Sequence, residues 1–554
     1  MAERDWICCT TNRTRWLVRP DLRDLLLGAD GLLLDDWLRT GRADRVKHGP
    51  HRTVYRVRLP QIEFFVKQNR LVDVRSRLRQ LVRPAKSRIE FEKALEISRR
   101  GIPTICPIAL GEPVTCLDRA DSFLLTENLA GALPLSDLIE KILPGYSYRR
   151  QVRIRHQLSH DLARFLCRMH DAGVAHFDLH AGNLLVRLSA DDVPELFLID
   201  LHAVQVGSPL TWRQRRENLV LLNRWFALRV SRSDRLRFWR AYDRQDTGRN
   251  ERALLVEKAT LASNLDFWRQ RDRRCCATNR YYRRVRAAGI CGFAVRDLDT
   301  AVVKEIVRDP DALFDRPDCR FLKDSPTSTV AEVTLRCGDG WKRFIYKRFR
   351  VKKWLDVYKR SLGHSPALRS WIFGHGLRER RLPTPRPWLV LERRCFAFRG
   401  TGYLLTEKLE QTLDLRTFLD AASTTVRREL VERIARLVWE LHRRRLSQRD
   451  LKAANILVKA QVNGEASDIW FIDLVGFRRH RKLRRRCRIQ NLARLNASFH
   501  NSAKLNRTDR LRFLRTYLQW GLRGKTGWKR WWRQIEQATQ KKIDRNLRNR
   551  RPLA

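Results

Sequence analysis

Two loops in this 554-residue sequence carry side chains able to move a phosphoryl group. The first reads His176-Phe177-Asp178-Leu179-His180-Ala181-Gly182-Asn183, and an apolar run then leads to Leu198-Ile199-Asp200. The second reads Gln448-Arg449-Asp450-Leu451-Lys452-Ala453-Ala454-Asn455 and leads to Phe471-Ile472-Asp473. Transfer of phosphate to a hydroxyl needs an aspartate to accept the proton of the attacking oxygen. It also needs an amide oxygen and a second carboxylate to hold Mg²⁺ on the nucleotide phosphates. Each loop puts its aspartate and asparagine on one turn, and a β-hairpin after it returns the second aspartate to the same cleft. A lone Asp or Asn in a loop is ordinarily a turn former. Here the set is complete and occurs twice.

Upstream of each loop an apolar strand ends in a lysine: Phe64-Phe65-Val66-Lys67 and Phe344-Ile345-Tyr346-Lys347. An ammonium there can grip the α and β phosphates, and a carboxylate on the next helix should orient it. Glu90 stands at that place in the first copy, with Glu92 and Glu96 nearby on the same helix; the second copy has Ser370, flanked by Trp371. Both lysines read as ends of edge-like strands.

These pairs belong to a repeat with a period of roughly 270 to 280 residues, which points to duplication of a whole domain. Arg45 through Val54 lines up with Phe321 through Val330, and Gly101-Ile102-Pro103-Thr104 with Arg381-Leu382-Pro383-Thr384. Leu124-Leu125-Thr126-Glu127 matches Leu404-Leu405-Thr406-Glu407, and Asn218-Leu219 to Phe238 matches Asn491-Leu492 to Phe513. Each copy reads as strands, a helix (89–100; 367–380), a short apolar strand and a helical half. The boundaries fall at 15–270 and 297–554, with the Arg-rich stretch 271–296 read as a basic linker.

The apolar content of 43% and 17 Trp are ample for packed cores, which excludes a disordered polycation. A formal net charge of +53 draws anionic partners: phosphorylated glycolipid, anionic membrane or nucleic acid. No dedicated nucleic-acid motif accompanies it. Twelve scattered cysteines lack zinc spacing and read as mostly reduced core thiols. No window approaches the roughly 20 apolar residues of a spanning helix, and no signal peptide is evident. The expected location is the cytoplasm, with peripheral contact at the inner face of a membrane.

The motifs resemble the protein-kinase superfamily and, in detail, the lipopolysaccharide kinase (Kdo/WaaP-like) family. The shared features are a short nucleotide loop without GxGxxG, the Gly-Ile-Pro-Thr or Leu-Pro-Thr step, and the two catalytic loops. The resemblance implies an α+β fold of two tandem bilobal protein-kinase-like domains, each with a small antiparallel β N-lobe and a mainly helical C-lobe. By it, Asp178 and Asp450 are catalytic bases, and Asn183 with Asp200 and Asn455 with Asp473 hold Mg²⁺. Lys67, Glu90, Glu127, His180, Lys347, Glu407 and Lys452 fall on the ATP side, the two hinge glutamates marking where backbone atoms meet adenine. His180 reads as a loop scaffold. Neither copy has Asp-Phe-Gly; the second keeps a glycine, Gly476, after its aspartate and the first does not. The acceptor expected is a sugar hydroxyl of lipopolysaccharide core or a similar glycolipid. A serine/threonine protein kinase and a partly degenerate binding module are the alternatives. The run Arg478–Arg486 is read either as a recruiter of phosphorylated glycolipid or as a solvated face, and the Trp528, Trp531, Trp532 group as core packing.

Overall fold

The computed structural model describes residues 6–49, 51–70, 85–114, 121–243, 247–287, 289–338, 340–351, 364–395, 398–460, 466–502, 504–519 and 527–549. The chain divides into two compact units, residues 1–263 and 264–554.

The first unit opens on a seven-stranded sheet. Its strands lie in the order Ile7–Thr11, Thr14–Val18, Pro107–Pro113, Ser122–Glu127, Glu63–Asn69, Arg52–Arg58, Ala43–His48, and every neighbouring pair is antiparallel. The second unit repeats the order with Tyr282–Ala287, Ile290–Val295, Pro387–Cys395, Phe398–Glu407, Gly340–Phe349, Ser328–Cys337 and Arg320–Ser325. After each sheet come a long helix (Tyr148–Asp171; Thr424–Arg443), a two-strand hairpin beyond the catalytic loop, and further helices. The expected sequence of an antiparallel lobe and then a helical lobe, twice over, is met. The two copies share even their buried details: His170 Nδ1 meets the Tyr242 hydroxyl at 2.8 Å, and His442 Nδ1 meets the Tyr517 hydroxyl at 2.8 Å.

Two expectations are corrected. The stretch 271–296 is not a linker, because Tyr282–Ala287 and Ile290–Val295 are the first two strands of the second sheet. The first domain likewise begins before residue 15, with Ile7–Thr11 paired to Thr14–Val18. Tyr282–Ala287 and Ile7–Thr11 are edge strands, where one side of the ladder and one face meet solvent and charged residues are tolerated. Tyr282-Arg-Arg-Val-Arg-Ala287 therefore carries little apolar signal. The lysine strands are the reverse case. Glu63–Asn69 and Gly340–Phe349 are interior strands, hydrogen-bonded on both sides. Strand alternation sends Phe64 and Val66 (Phe344 and Tyr346 in the second copy) into the core and turns the lysine to the opposite face.

The cysteines are also placed differently. Among the ten cysteines whose side chains are described, Cys275 alone is buried. Trp531 is buried in the C-lobe core of the second unit, with Trp528 and Trp532 packed against it, as expected of core residues. No helix among the described residues is long and apolar enough to cross a membrane.

Candidate active site

The helix Lys86–Arg99 buries one stripe, Ser87, Glu90, Phe91, Ala94 and Ile97, at the spacing of a helix face. Glu90 lies on that stripe and is 2% exposed, whereas Glu92 and Glu96 point off it. The apolar stripe in the sequence is the signal that separates the three. Buried there, Glu90 forms an ion pair with Lys67 Nζ through one oxygen. Its other oxygen accepts from Arg52 Nη2 at 3.3 Å. Arg52 also reaches Asp200, 3.8 Å away. Burial pushes the Lys67 ammonium down, and the Glu90 charge opposes it. The Asp200 carboxyl is held down to about 2, chiefly by its 2.8 Å hydrogen bond to His202 and then by Arg52 and Lys67.

The catalytic loop is fastened to the same place. Asn183 Nδ2 donates to the Asp178 carbonyl (2.8 Å), which leaves its Oδ1 for a ligand, and the Asn183 carbonyl accepts from Ile199 N at 3.0 Å, beside Asp200. His180 caps the turn by accepting from Gly182 N at 3.0 Å and stands 3.8 Å from the Asp178 carboxylate. It is a scaffold in this structure. The Asp178 carboxylate itself is mostly exposed, open to a proton donor from solvent or a ligand.

The Pro-Thr step has a use that the sequence reading did not find. Thr104 Oγ1 donates to the Leu198 carbonyl at 2.7 Å and Leu198 N donates to the Pro103 carbonyl at 2.9 Å. Thr384 and Pro383 bind Phe471 in the same way, at 2.8 and 2.9 Å. The step pins the strand that ends two residues before each second aspartate. Asn218 and Asn491 were also passed over, although both were visible as repeated Asn-Leu pairs. Their Oδ1 atoms accept from the backbone N–H of His176 (2.9 Å) and Gln448 (3.0 Å), holding each loop onto a C-lobe helix.

In the second cleft Asn455 repeats the bond of Asn183, donating to the Asp450 carbonyl at 2.8 Å. The roof differs. Ser370 is buried, and its hydroxyl donates back to the Pro366 carbonyl of its own helix. Lys347 instead pairs with Asp473 directly, at 3.1 Å. Glu127 and Glu407 end the strands Ser122–Glu127 and Phe398–Glu407, with their carboxylates engaged elsewhere: Glu127 lies 3.7 Å from Arg19, and Glu407 accepts from Arg386 N at 2.6 Å. Lys452 begins the short turn Ala453–Asn455 without capping it.

Packing behind the second loop gives Gly476 its reason. His176 fills the space behind the first loop, with Nδ1 accepting from Asp178 N (3.1 Å) and Nε2 meeting the Ile199 carbonyl (3.2 Å). Gln448 fills it in the second, donating to the Asp473 carbonyl at 2.9 Å. A Cβ on Gly476 would fall 2.4 Å from Gln448 Oε1 and 3.3 Å from Asp450 N. The first copy pairs its histidine with Ala203 at the matching site. Gly476→Ala is expected to lose about 1–3 kcal/mol through overpacking. Adding Gln448→His should restore most of it, read as the urea midpoint of unfolding; equal midpoints for the single and double variants would refute the pairing.

Among the described residues no three His, Cys, Asp or Glu side chains form a metal cluster. A cation in either cleft would therefore rest on one carboxylate and one amide oxygen. These are hard donors of the kind Mg²⁺ takes together with substrate phosphates and water, so the residues fit it.

Comparison with known proteins agrees with the repeat. The sequence profile of the lipopolysaccharide kinase (Kdo/WaaP) family matches residues 61–242 and again 327–517. Lipopolysaccharide core heptose(I) kinase WaaP of Pseudomonas aeruginosa is 29% identical over 201 residues, which are 34% of this chain and 75% of that protein. The 3-deoxy-D-manno-octulosonic acid kinase of Pasteurella multocida is 32% identical over 146 residues, 26% of this chain and 58% of that protein. A solved structure of WaaP in complex with acyl carrier protein is 26% identical, covers 98% of that chain and 44% of this one, and superposes with a TM-score of 0.33.

Proposed function

This chain belongs to the lipopolysaccharide kinase (Kdo/WaaP) family, and on that premise we propose that it transfers the γ-phosphoryl group of ATP to a sugar hydroxyl of lipopolysaccharide core or a similar glycolipid. The observation that carries the reading is the first cleft's convergence of a buried Lys67–Glu90 pair, Asp200 within reach of Arg52, and the Asp178–Asn183 loop bonded beside it.

In this reading the Asp178 carboxylate accepts the proton of the attacking sugar hydroxyl as its oxygen bonds to the γ-phosphorus, and ADP leaves. Lys67, steadied by Glu90, lies against the α and β phosphates. Asn183 Oδ1 and Asp200 hold Mg²⁺, which neutralises charge on the phosphates when bound. Asp450, Asn455, Asp473 and Lys347 take the same parts in the second cleft. Catalysis then comes from positioning and charge stabilisation rather than a covalent intermediate. The net charge of +53 supports peripheral attraction to the anionic cytoplasmic face of a membrane, where such an acceptor is met.

The test is transfer of label from [γ-³²P]ATP with Mg²⁺ to extracted glycolipid and to protein pools. Label in lipopolysaccharide is the expected result. Label in protein alone would replace this reading with a protein kinase, and label in neither pool, without Mg·ATP binding, would replace it with a binding module.

A further inference from the structure

The acceptor sides of the two clefts can be compared residue by residue, because the same bonds fix their registers. His176 pairs with Val204 and Gln448 with Phe477. Phe177 N donates to the Ala203 carbonyl at 2.9 Å, and Arg449 N to the Gly476 carbonyl at 2.8 Å. Leu210 and Leu483 are both buried just before the next helix. In that register the segment 478–486 carries seven cations, and its counterpart 205–213 (Gln-Val-Gly-Ser-Pro-Leu-Thr-Trp-Arg) carries one, Arg213.

The contrast continues on the loop and on the helix beneath it. In the second unit the helix Arg485–Ala497 grips the loop twice, through Asn491 Oδ1 to Gln448 N (3.0 Å) and through the following Ser498 Oγ to Ala453 N (3.1 Å). Arg494 lies one turn along that face, between the two grips, and so under Arg449 to Lys452. Its counterpart under the first loop is Leu221, packed against the C-lobe core. Beside the catalytic aspartates stand Arg449 in one copy and Phe177, 60% exposed, in the other. Burial and repulsion by Arg545 push the Arg494 guanidinium down, Asp450 pulls it up and Arg449 adds repulsion. Arg449, Arg494 and Arg545 form no ion pair with a described carboxylate. Arg494 is half-buried, whereas Arg449 and Arg545 are exposed; arginines remain charged when crowded, and a guanidinium partly withdrawn from water beside a second one suits an anionic partner.

We propose that the second cleft holds its acceptor by an anionic group the sugar already carries, a phosphate or a carboxylate, through Arg449 and Arg494, whereas the first cleft takes an uncharged part of the acceptor against Phe177. This rests on the kinase reading above. The reaction supplying the second site is then one that installs an acidic group on the sugar, and a phosphorylation of the kind assigned to the first site belongs to that class.

The test uses the full chain carrying Asp178→Asn, so that transfer reports the second cleft. The acceptors are native lipopolysaccharide, the same material dephosphorylated with hydrofluoric acid, and carboxyl-reduced material. A KM raised about tenfold to hundredfold by dephosphorylation, the worth of one charge-assisted hydrogen bond, identifies a phosphate; the same rise on carboxyl reduction identifies a carboxylate. Arg494→Leu, the residue of the first copy, should raise the KM for native acceptor similarly with the KM for ATP unchanged, and Arg494→Lys should recover part of it. Equal KM for all three acceptors, or no effect of Arg494→Leu, overturns the proposal. Should the Asp178→Asn chain label nothing, the kinase reading of this cleft fails. Retention of native over dephosphorylated lipopolysaccharide vesicles at 0.15 M salt, reduced by Arg494→Leu, then still decides the anion site, and no preference overturns it.

Discussion

In a chain whose second cleft is silenced by Asp450→Asn, the further change Asp178→Asn is expected to lower phosphoryl transfer by about 10²–10⁴-fold, the usual share of a positioned general base. The reciprocal pair should behave alike, and the two single variants together apportion the wild-type rate between the clefts. The substitution is clean on structural grounds. The Asp178 side chain is 67% exposed and the ring of His180 stands 3.8 Å from its carboxylate. Its removal should move unfolding by no more than about 0.5 kcal/mol, as for other exposed sites. The loop is held instead by Asn183, His176 and Asn218, none of which bonds to the Asp178 carboxylate. Burst and steady-state kinetics with unchanged Mg·ATP binding would place the loss in the chemical step. A fall of less than tenfold would remove Asp178 from the role of base.

The same separation of duties explains what the sequence could and could not disclose. Groups proposed to touch substrate are restricted in type, so Asp178, Asn183, Asp200 and their partners in the second copy stand out by identity and spacing. Groups that hold the loop are restricted only in where they offer a donor or acceptor. His176 and Gln448 do one job with different chemistry, and that job became visible only once the Ile199 and Asp473 carbonyls were seen beside them. Gly476, after Asp473, is visible in the sequence only as a retained glycine, and its neighbour is the Gln448 amide. Strands at the sheet edge escaped for a different reason: Tyr282–Ala287 buries little, and its arginines conceal a period of two. The helical lobes and interior strands were legible because burial on a fixed face leaves a periodic trace.

The duplication has also let the two roofs drift apart, and the second large effect is expected there. Glu90→Gln should cost the first unit about 3–5 kcal/mol, because it strands the Lys67 ammonium in a place where burial already penalises charge and Arg52 adds repulsion. The Glu90 side chain is 3% exposed and that of Lys67 15%, so water cannot replace the lost partner. Activity at this cleft should fall with it, as a KM for ATP raised by tenfold or more, because Lys67 is then free to turn toward Asp200. The double variant Lys67→Met, Glu90→Gln removes the orphaned charge, and it should recover most of the stability while remaining inactive. That divergence separates the structural cost of the pair from its use on the nucleotide. At the aligned place in the second unit, Ser370→Ala should be nearly silent in both measurements, since the hydroxyl bonds only within its own helix and Lys347 leans on Asp473 instead. If the double variant kept its activity, Lys67 would be a structural partner of Glu90 and no more. If Ser370→Ala disabled the second cleft, the roof there would depend on a contact other than Lys347 with Asp473.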